Sequence, residues 1–230
     1  MSSLLPENIS IKDNSFLITG GAGFIGSNLV EFLLLNGAKK VRVLDNLATG
    51  NINNINEFYS HPNFQFIEGD IRDLNACEQA IKEIDFVSHQ AALGSVPRSI
   101  NDPITTNSVN VDGFLNILKT AKDFGVKRLI YASSSSVYGD IETSPKIEGV
   151  EGNVMSPYAL TKKMNEEYAK VFSSVYGFHT IGLRYFNVFG PKQNPEGDYA
   201  AVIPRFIMHA INGTAPTIYG DGHQIGRAHV

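Results

Sequence analysis

Tyr158 and Lys162 stand four residues apart in S-P-Y-A-L-T-K, a spacing that puts both side chains on one face of a helix. A phenol with its ordinary pKa of about 10 is a poor base at neutral pH. An ammonium group beside it favours the phenolate and lowers that pKa, so a Tyr–Lys pair can accept a proton. Ser134, inside the serine run 133–136, could hydrogen-bond the same substrate oxygen. A blander account also fits these residues: two exposed helix positions, and serines that serve only a turn. The rest of the chain decides between the two.

The stretch F-L-I-T-G-G-A-G-F-I-G at 16–26 is the second chemical feature. An apolar run, Phe16, Leu17 and Ile18, enters Gly20, Gly23 and Gly26, spaced G-x-x-G-x-x-G, and apolar spacing resumes at Phe24, Ile25, Leu29, Val30, Leu33 and Leu34. This pattern predicts a strand, a tight turn and a helix. Glycine lets the backbone bend sharply and approach a pyrophosphate, with the helix N-terminus facing its charge. Asp45 ends the next strand about 20 residues on, where a carboxylate grips the adenosine ribose hydroxyls of NAD. The same charge repels a 2′-phosphate, so NAD is expected rather than NADP, with Arg42 as the nearby residue that argues the other way. An oxidised nicotinamide would add its positive charge to that of Lys162 in lowering the Tyr158 pKa.

These residues need elements to position them. Strands are predicted at 40–44, 63–68, 85–89, 127–132 and 180–184, after the first at 16–18. Helices are predicted at 74–84, 104–124 and 157–176, the last stopped by Gly177, and a further short one at 201–211. Residues 1–14 read as a loosely packed lead-in, and the asparagine-rich 46–62 as a polar connection with one helical turn. Strands alternating with helices predict an α/β fold, a doubly wound parallel sheet of the Rossmann type, over residues 1–187. From Val188 the pattern changes, and residues 188–230 begin a smaller second domain.

Composition narrows the partners. Hydrophobic content of 43% supports a substantial core, and a net charge of −4 makes nucleic acid and anionic membrane poor partners. The single cysteine, Cys77, excludes an intrachain disulfide and fits a reducing compartment. No signal peptide or membrane span is predicted, and a cytoplasmic protein is expected. No metal site is expected.

In order along the chain, T-G-G-A-G-F-I-G, D-N, G-D-I-R-D, S-S-S-x-V-Y-G, S-P-Y-A-L-T-K and L-R-Y-F-N-V-F-G cover residues 16–190 almost continuously. Together they resemble the extended short-chain dehydrogenase/reductase family. Within it, H-Q-A-A-L-G-S-V-P-R-S-I-N-D-P (89–103) and Y-A-A-V-I-P-R-F (199–206) are similar to the bacterial UDP-N-acetylglucosamine 4-epimerase branch. The resemblance implies Ser134, Tyr158 and Lys162 as the catalytic group. It implies Gly20, Gly23, Phe24, Ile25 and Gly26 along the pyrophosphate, Asp45 and Asn46 at the adenosine ribose, and Asp70 and Ile71 beside adenine. Gln90, Ala91 and Ala92 would pass under the cofactor, Lys162 would hold the nicotinamide ribose, and Tyr185 and Phe186 would sit near the nicotinamide. For the sugar nucleotide it implies Gly94, Ser95, Ser134, Ser135, Ser136, Tyr158, Asn187 and Ala201. Asn187 could equally cap a loop, and His89 reads as a satisfied strand-end histidine.

The implied reaction is NAD-dependent 4-epimerisation of a UDP-N-acetylhexosamine through a 4-ketose, in polysaccharide biosynthesis, with the full-length protein a homodimer. Sugar dehydratases of the family carry an Asp-Glu pair where Ser135 and Ser136 stand, and serines cannot supply that acid–base pair. The alternatives are a sibling epimerase of a UDP-hexuronate or UDP-N-acetylhexosaminuronate, and a non-catalytic NAD-binding fragment. After I-Y-G-D-G (218–222) the family pattern stops. The last six residues, I-G-R-A-H-V (225–230), spell the translation of a common sequencing-adapter sequence. They are therefore expected to be a non-native tail on a fragment that binds NAD but turns over poorly or not at all.

Overall fold

The computed structural model describes residues 10–194 and 202–217. Six strands form one parallel sheet in the order β3-β2-β1-β4-β5-β6. They are β1 (Ser15–Thr19), β2 (Lys40–Asp45), β3 (Phe64–Glu68), β4 (Phe86–His89), β5 (Arg128–Ser134) and β6 (Thr180–Tyr185). This is the strand order of the doubly wound dinucleotide-binding fold. Residues up to Ala91 with Asn116–Ile130 make one compact unit; Ala92–Leu115 with the residues from Tyr131 on make another.

In the first unit, β1 lies between β2 and β4, with Leu17 opposite Arg42 on one side and Val87 on the other. A parallel strand with neighbours on both sides and layers on both faces has no wet side, so its residues run apolar instead of alternating. Leu17, Ile18, Val41, Val43 and Leu44 are accordingly 0–1% accessible. Each stabilises the fold by about 1.5–3 kcal/mol through removal of its side chain from water. Helix α1 (Phe24–Leu35) packs Val30, Leu33 and Leu34 into the same cluster. The chain steps outward from β1 to β2 and β3, then returns to the other side of β1 as β4. The carboxyl ends of β1 and β4 therefore flank the switch point where such sheets bind ligands.

Three local expectations are corrected in this unit. The end of the lead-in is ordered and anchored at one residue: a 3-10 turn at Ile11–Asp13 leads into buried Asn14, which accepts from the Lys39 N–H at 3.1 Å and the Lys127 ammonium at 3.0 Å. The 46–62 connection makes two 3-10 turns, Ile52–Asn54 and Asn56–Phe58, because Ile55 and Phe58 drop into the α1 cluster. Helix α2 (Leu74–Ile81) ends short of residue 84, where Arg42 takes its last carbonyls. The buried Arg42 donates to the carbonyls of Ala80 and Lys82 at 2.8 and 2.7 Å and to Gln65 Oε1 at 2.8 Å. Its guanidinium is thereby committed to a helix C-terminus, and the argument for NADP that it raised falls away.

In the second unit, α3 (Val96–Asn101), unexpected from sequence, is started by Ser95, whose hydroxyl accepts from the Arg98 N–H at 2.7 Å. The single helix expected at 104–124 is three segments: α4 (Pro103–Asn107), a π-helical stretch Ser108–Asp112, and α5 (Gly113–Asp123). Helix α6 (Pro157–Tyr176) matches its predicted bounds, because its punctuation is local. The Ser156 hydroxyl caps the Ala159 N–H at 3.1 Å, Pro157 presets the first turn, and Gly177 closes the end at φ +66°. The edge strand β6 leaves Leu183 41% accessible, so the sheet is less covered there than a doubly wound pattern predicts. Helix α7 (Val202–Ile211) follows. No helix among the described residues is long and apolar enough to cross a membrane.

Candidate functional site

The glycine turn is held by close backbone packing. Gly20 has φ +69°, and a Cβ there would stand 2.7 Å from the Ala91 nitrogen; one on Gly26 would stand 2.2 Å from the Gly20 oxygen. Gly26 therefore lets the first turn of α1 press onto the strand end. Gly23 is the helix N-cap and offers no side chain to the N–H groups of Phe24, Ile25 and Gly26. These donors have no intrahelical acceptor by construction, and the helix dipole adds partial positive charge, which together make an anion cradle.

The other predicted cofactor residues of this unit surround that turn in the chain's hydrogen-bond network. The buried Asp45 carboxylate accepts from the Ala22 N–H at 2.9 Å and the Leu47 N–H at 2.8 Å. Burial raises its pKa, and the two backbone bonds pull it back in part. Asn46 donates to Asp70 at 2.9 Å, and Arg72 grips the same carboxylate at 2.6 and 3.0 Å, holding Asp70 down at about 2. Ile71 is buried, its carbonyl accepting from Asn116 at 3.0 Å. Gln90 and Ala91 leave β4 bonded to Thr19, and the buried Gln90 Oε1 has no hydrogen-bond partner. His89 is buried against the Thr19 hydroxyl at 2.8 Å, the satisfied histidine expected. The one thiol, Cys77, is buried and pushed up to about 12, which removes it as a nucleophile.

In the second unit, Ser134 ends β5, and Tyr158 and Lys162 lie on the first turns of α6. Ser134 Oγ accepts from the Ser136 N–H at 3.2 Å and the Ser136 hydroxyl at 2.8 Å, which leaves its own proton to donate, and its hydroxyl acts to lower the Tyr158 pKa. The Lys162 ammonium stands 6.0 Å from the Tyr158 ring centroid and donates to the Ala132 carbonyl at 2.8 Å. The expected direction of the Tyr158 shift is corrected here. Burial of the phenol itself raises its pKa, and Ser134 offsets this only partly. Lys162, 2% accessible and bonded to the Ala132 carbonyl, is itself pushed down to about 8 by burial.

That depression has a sign that can be checked. Between pH 8 and 10.5 the unfolded chain holds the Lys162 proton and the folded chain does not, so stability rises with pH across that window. Below about 8 both states are charged, and folding bears the full desolvation cost. In chemical denaturation, the stability of the parent relative to Lys162→Met should increase by about 3 kcal/mol from pH 7.5 to 10.5. A flat difference would mean that the ammonium is not desolvated.

The predicted sugar residues are only partly brought together. Ser135, Phe186 and Asn187 line a cavity of about 260 Å³ with Tyr138, Gly139, Asp140, Ile141 and Lys146, none of which the sequence pointed to. The Phe186 ring lies 6.1 Å from that of Tyr138. Gly94 has open space where a Cβ would stand, whereas the Ser95 oxygen is occupied as a helix cap. Tyr185 ends β6, and Ala92 begins this unit. Ala201, Tyr199 and the tail 225–230 lie outside the described residues.

Two groups were missed. Asn110, in the π-helical stretch, accepts from the Leu93 N–H at 2.8 Å and donates to the Leu93 carbonyl and to Thr161 Oγ1, both at 3.1 Å. It thus ties the 92–94 segment to α6 next to Tyr158. Arg184 forks onto Glu166 at 2.9 and 2.7 Å and reaches Glu151 at 2.6 Å, while Glu166 accepts from Ser133 at 2.5 Å. This fixes the end of β5 against α6. A π-helical stretch carries no local sequence signal, but a buried helix face holding Lys162 and Asn165 among Ala159, Ala169 and Phe172 does mark a polar site.

Residues 16–226 match the model of the NAD dependent epimerase/dehydratase family. A Methanocaldococcus jannaschii protein provisionally named as a UDP-glucose 4-epimerase is 41% identical over 210 residues, which are 90% of this chain and 67% of that protein. The structure of UDP-N-acetylglucosamine 4-epimerase from Methanobrevibacter ruminantium, in complex with UDP-N-acetylmuramic acid, aligns with TM-score 0.87 and 43% identity, over 93% of this chain and 67% of that one. A Thermus thermophilus UDP-glucose 4-epimerase complexed with NAD aligns with TM-score 0.77 and 40% identity, over 87% of this chain and 63% of that one. The chain spans about two thirds of the length of each.

Proposed function

Because this chain belongs to the NAD dependent epimerase/dehydratase family, we propose that its site is that of an NAD-dependent UDP-sugar 4-epimerase. The observation that carries the proposal is the Lys162 ammonium 6.0 Å from the Tyr158 ring on α6, with Ser134 at the end of β5 acting to lower the Tyr158 pKa. NAD fits the first unit: a side-chain-free helix N-terminus would meet the diphosphate, Asp45 would meet ribose hydroxyls, and the orphaned Gln90 oxygen would offer an acceptor. When bound, NAD supplies the place to which the sugar C4 hydride goes and from which it returns. Residues 1–187 are the cofactor domain in this account, and 188–230 begin a substrate domain.

The protein's part is proton handling. Tyr158 takes the proton of the sugar 4-hydroxyl and later gives it back, while Ser134 donates to the same oxygen. Lys162 supports the phenolate with its charge and holds the nicotinamide ribose. Ser135 and Ser136 carry no carboxylate, so nothing there assists loss of water, and dehydration is disfavoured. Gly94, Ser95, Ser135, Ser136, Asn187 and Ala201 are assigned to the sugar nucleotide, and the homodimer and cytoplasmic location belong to the same account.

For the sugar, a UDP-N-acetylhexosamine (UDP-GlcNAc/UDP-GalNAc) is favoured. The sequence similarity at 89–103 and the 43% identical UDP-N-acetylglucosamine 4-epimerase support this. Equal concentrations of UDP-N-acetylglucosamine, UDP-glucose and UDP-glucuronate should be incubated with the NAD-loaded full-length protein and followed by anomeric proton NMR. The acetamido sugar is expected to be converted fastest. Faster conversion of UDP-glucuronate would replace this substrate by the hexuronate.

A further inference from the structure

We infer that Asn54 is a positioning residue for the glycine turn: its side-chain amide fixes the plane of the Ala22–Gly23 peptide and so aims the first N–H groups of α1. The inference rests on the proposal that this turn holds NAD. The Ala22 carbonyl accepts twice, from Asn54 Nδ2 at 2.9 Å and from the Asn51 N–H at 3.0 Å. On the other side of that peptide, the Gly23 N–H donates to the Gly20 carbonyl at 3.1 Å. The preceding peptide is pinned too, by the Ala22 N–H on Asp45 Oδ2 at 2.9 Å. Both peptide planes before the helix start are therefore fixed, one by Asp45 and one by Asn54.

The physical consequence concerns an oxygen. Glycine on either side of Ala22 gives the chain little resistance to rotation of the Ala22–Gly23 peptide plane. Rotation would free the Gly23 N–H from Gly20 and swing the Ala22 oxygen against the Gly20 oxygen, and the repulsion of the two carbonyls would displace the start of α1 and the N–H groups it presents. A carbonyl has two lone pairs, and the two donors occupy both in the present orientation.

Asn54 is placed for this by its neighbours. Ile55 is fully buried and Phe58 nearly so, in the cluster that also contains Ala22, and the Asn54 N–H closes its 3-10 turn on the Asn51 carbonyl at 2.9 Å. Gly50 allows the approach, since a Cβ there would meet the Ala22 Cβ at 3.0 Å. The asparagine-rich connection is thus a second wall of the turn.

Asn54→Asp keeps the shape but removes the amide donor and adds charge; Asn54→Leu removes the donor without charge. Each variant of the full chain should be titrated with NAD by calorimetry, with amide hydrogen exchange over residues 20–26 and melting temperature measured alongside. We expect NAD affinity to fall about tenfold in Asn54→Leu, the size of one lost hydrogen bond, and further in Asn54→Asp. Exchange at the turn should quicken in both. Affinity within twofold of the parent in both variants, or unchanged exchange at the turn, would overturn the inference. So would a lower melting temperature with affinity intact, which is what a merely structural Asn54 gives. A parent chain that binds no NAD would overturn the cofactor proposal and this role with it, and is distinct from unchanged binding in the variants alone.

Discussion

Tyr158→Phe is expected to leave NAD bound and to lower turnover by about 10²–10⁴-fold, the range for loss of a positioned acid–base group. The phenylalanine ring keeps the packing of a half-buried position on the first turn of α6. Only the hydroxyl disappears, and with it the group proposed to exchange the proton of the sugar 4-hydroxyl. The cofactor contacts at the glycine turn belong to other elements and should be unaffected. Burial raises the Tyr158 pKa in the protein alone and pushes Lys162 down to about 8, so the parent's activity should rise with pH only up to the point where Lys162 loses its proton. The residual activity of the variant should lack that rise. Turnover within a few-fold of the parent would remove Tyr158 as the proton acceptor.

Gly26→Ala is expected to abolish NAD binding and to destabilise the fold by about 2 kcal/mol or more. The added methyl would stand 2.2 Å from the Gly20 oxygen and 2.7 Å from the Gly21 Cα. Both obstacles are backbone, so no side chain can swing away, and the turn or the start of α1 must move. Gly23→Ala makes the informative contrast. Its methyl would meet only the Gly20 oxygen, at 3.2 Å, so the fold should lose much less. It would still occupy the space beside the helix N-terminus through which a diphosphate approaches, and affinity should drop with little change in melting temperature. Equal melting temperatures and equal NAD affinities for Gly26→Ala and the parent would contradict the packed geometry of the turn.

The parts of this protein that could be read from sequence are those whose cause is local. The glycine spacing, the apolar run of β1 and the Ser-Pro start and Gly stop of α6 each act within a few residues, and their bounds agree closely with the structure. Arg42 could not be placed this way, because its partners at Ala80 and Lys82 lie 38 and 40 residues on. The same holds for Asn54, 32 residues from Ala22, and for Arg184, which meets Glu151 33 residues before it. The 104–124 helix shows the limit differently. Its apolar spacing is helical throughout, yet the π-helical stretch there carries Asn110, whose bonds to Leu93 and Thr161 bridge two other segments. Polar residues that hold loops against a sheet are fixed by the fold, not by their neighbours in sequence.

The central claim is that the tyrosine–lysine–serine group inverts a sugar 4-hydroxyl with a cofactor that is restored in every cycle. The most direct test is to load the full-length protein with NAD, add UDP-N-acetylglucosamine without any reductant, and follow sugar configuration by proton NMR and absorbance at 340 nm together. The account predicts that UDP-N-acetylgalactosamine accumulates to equilibrium while absorbance at 340 nm shows no net rise. Accumulation of reduced cofactor in step with product, or bound NAD without any inversion at C4, would contradict it.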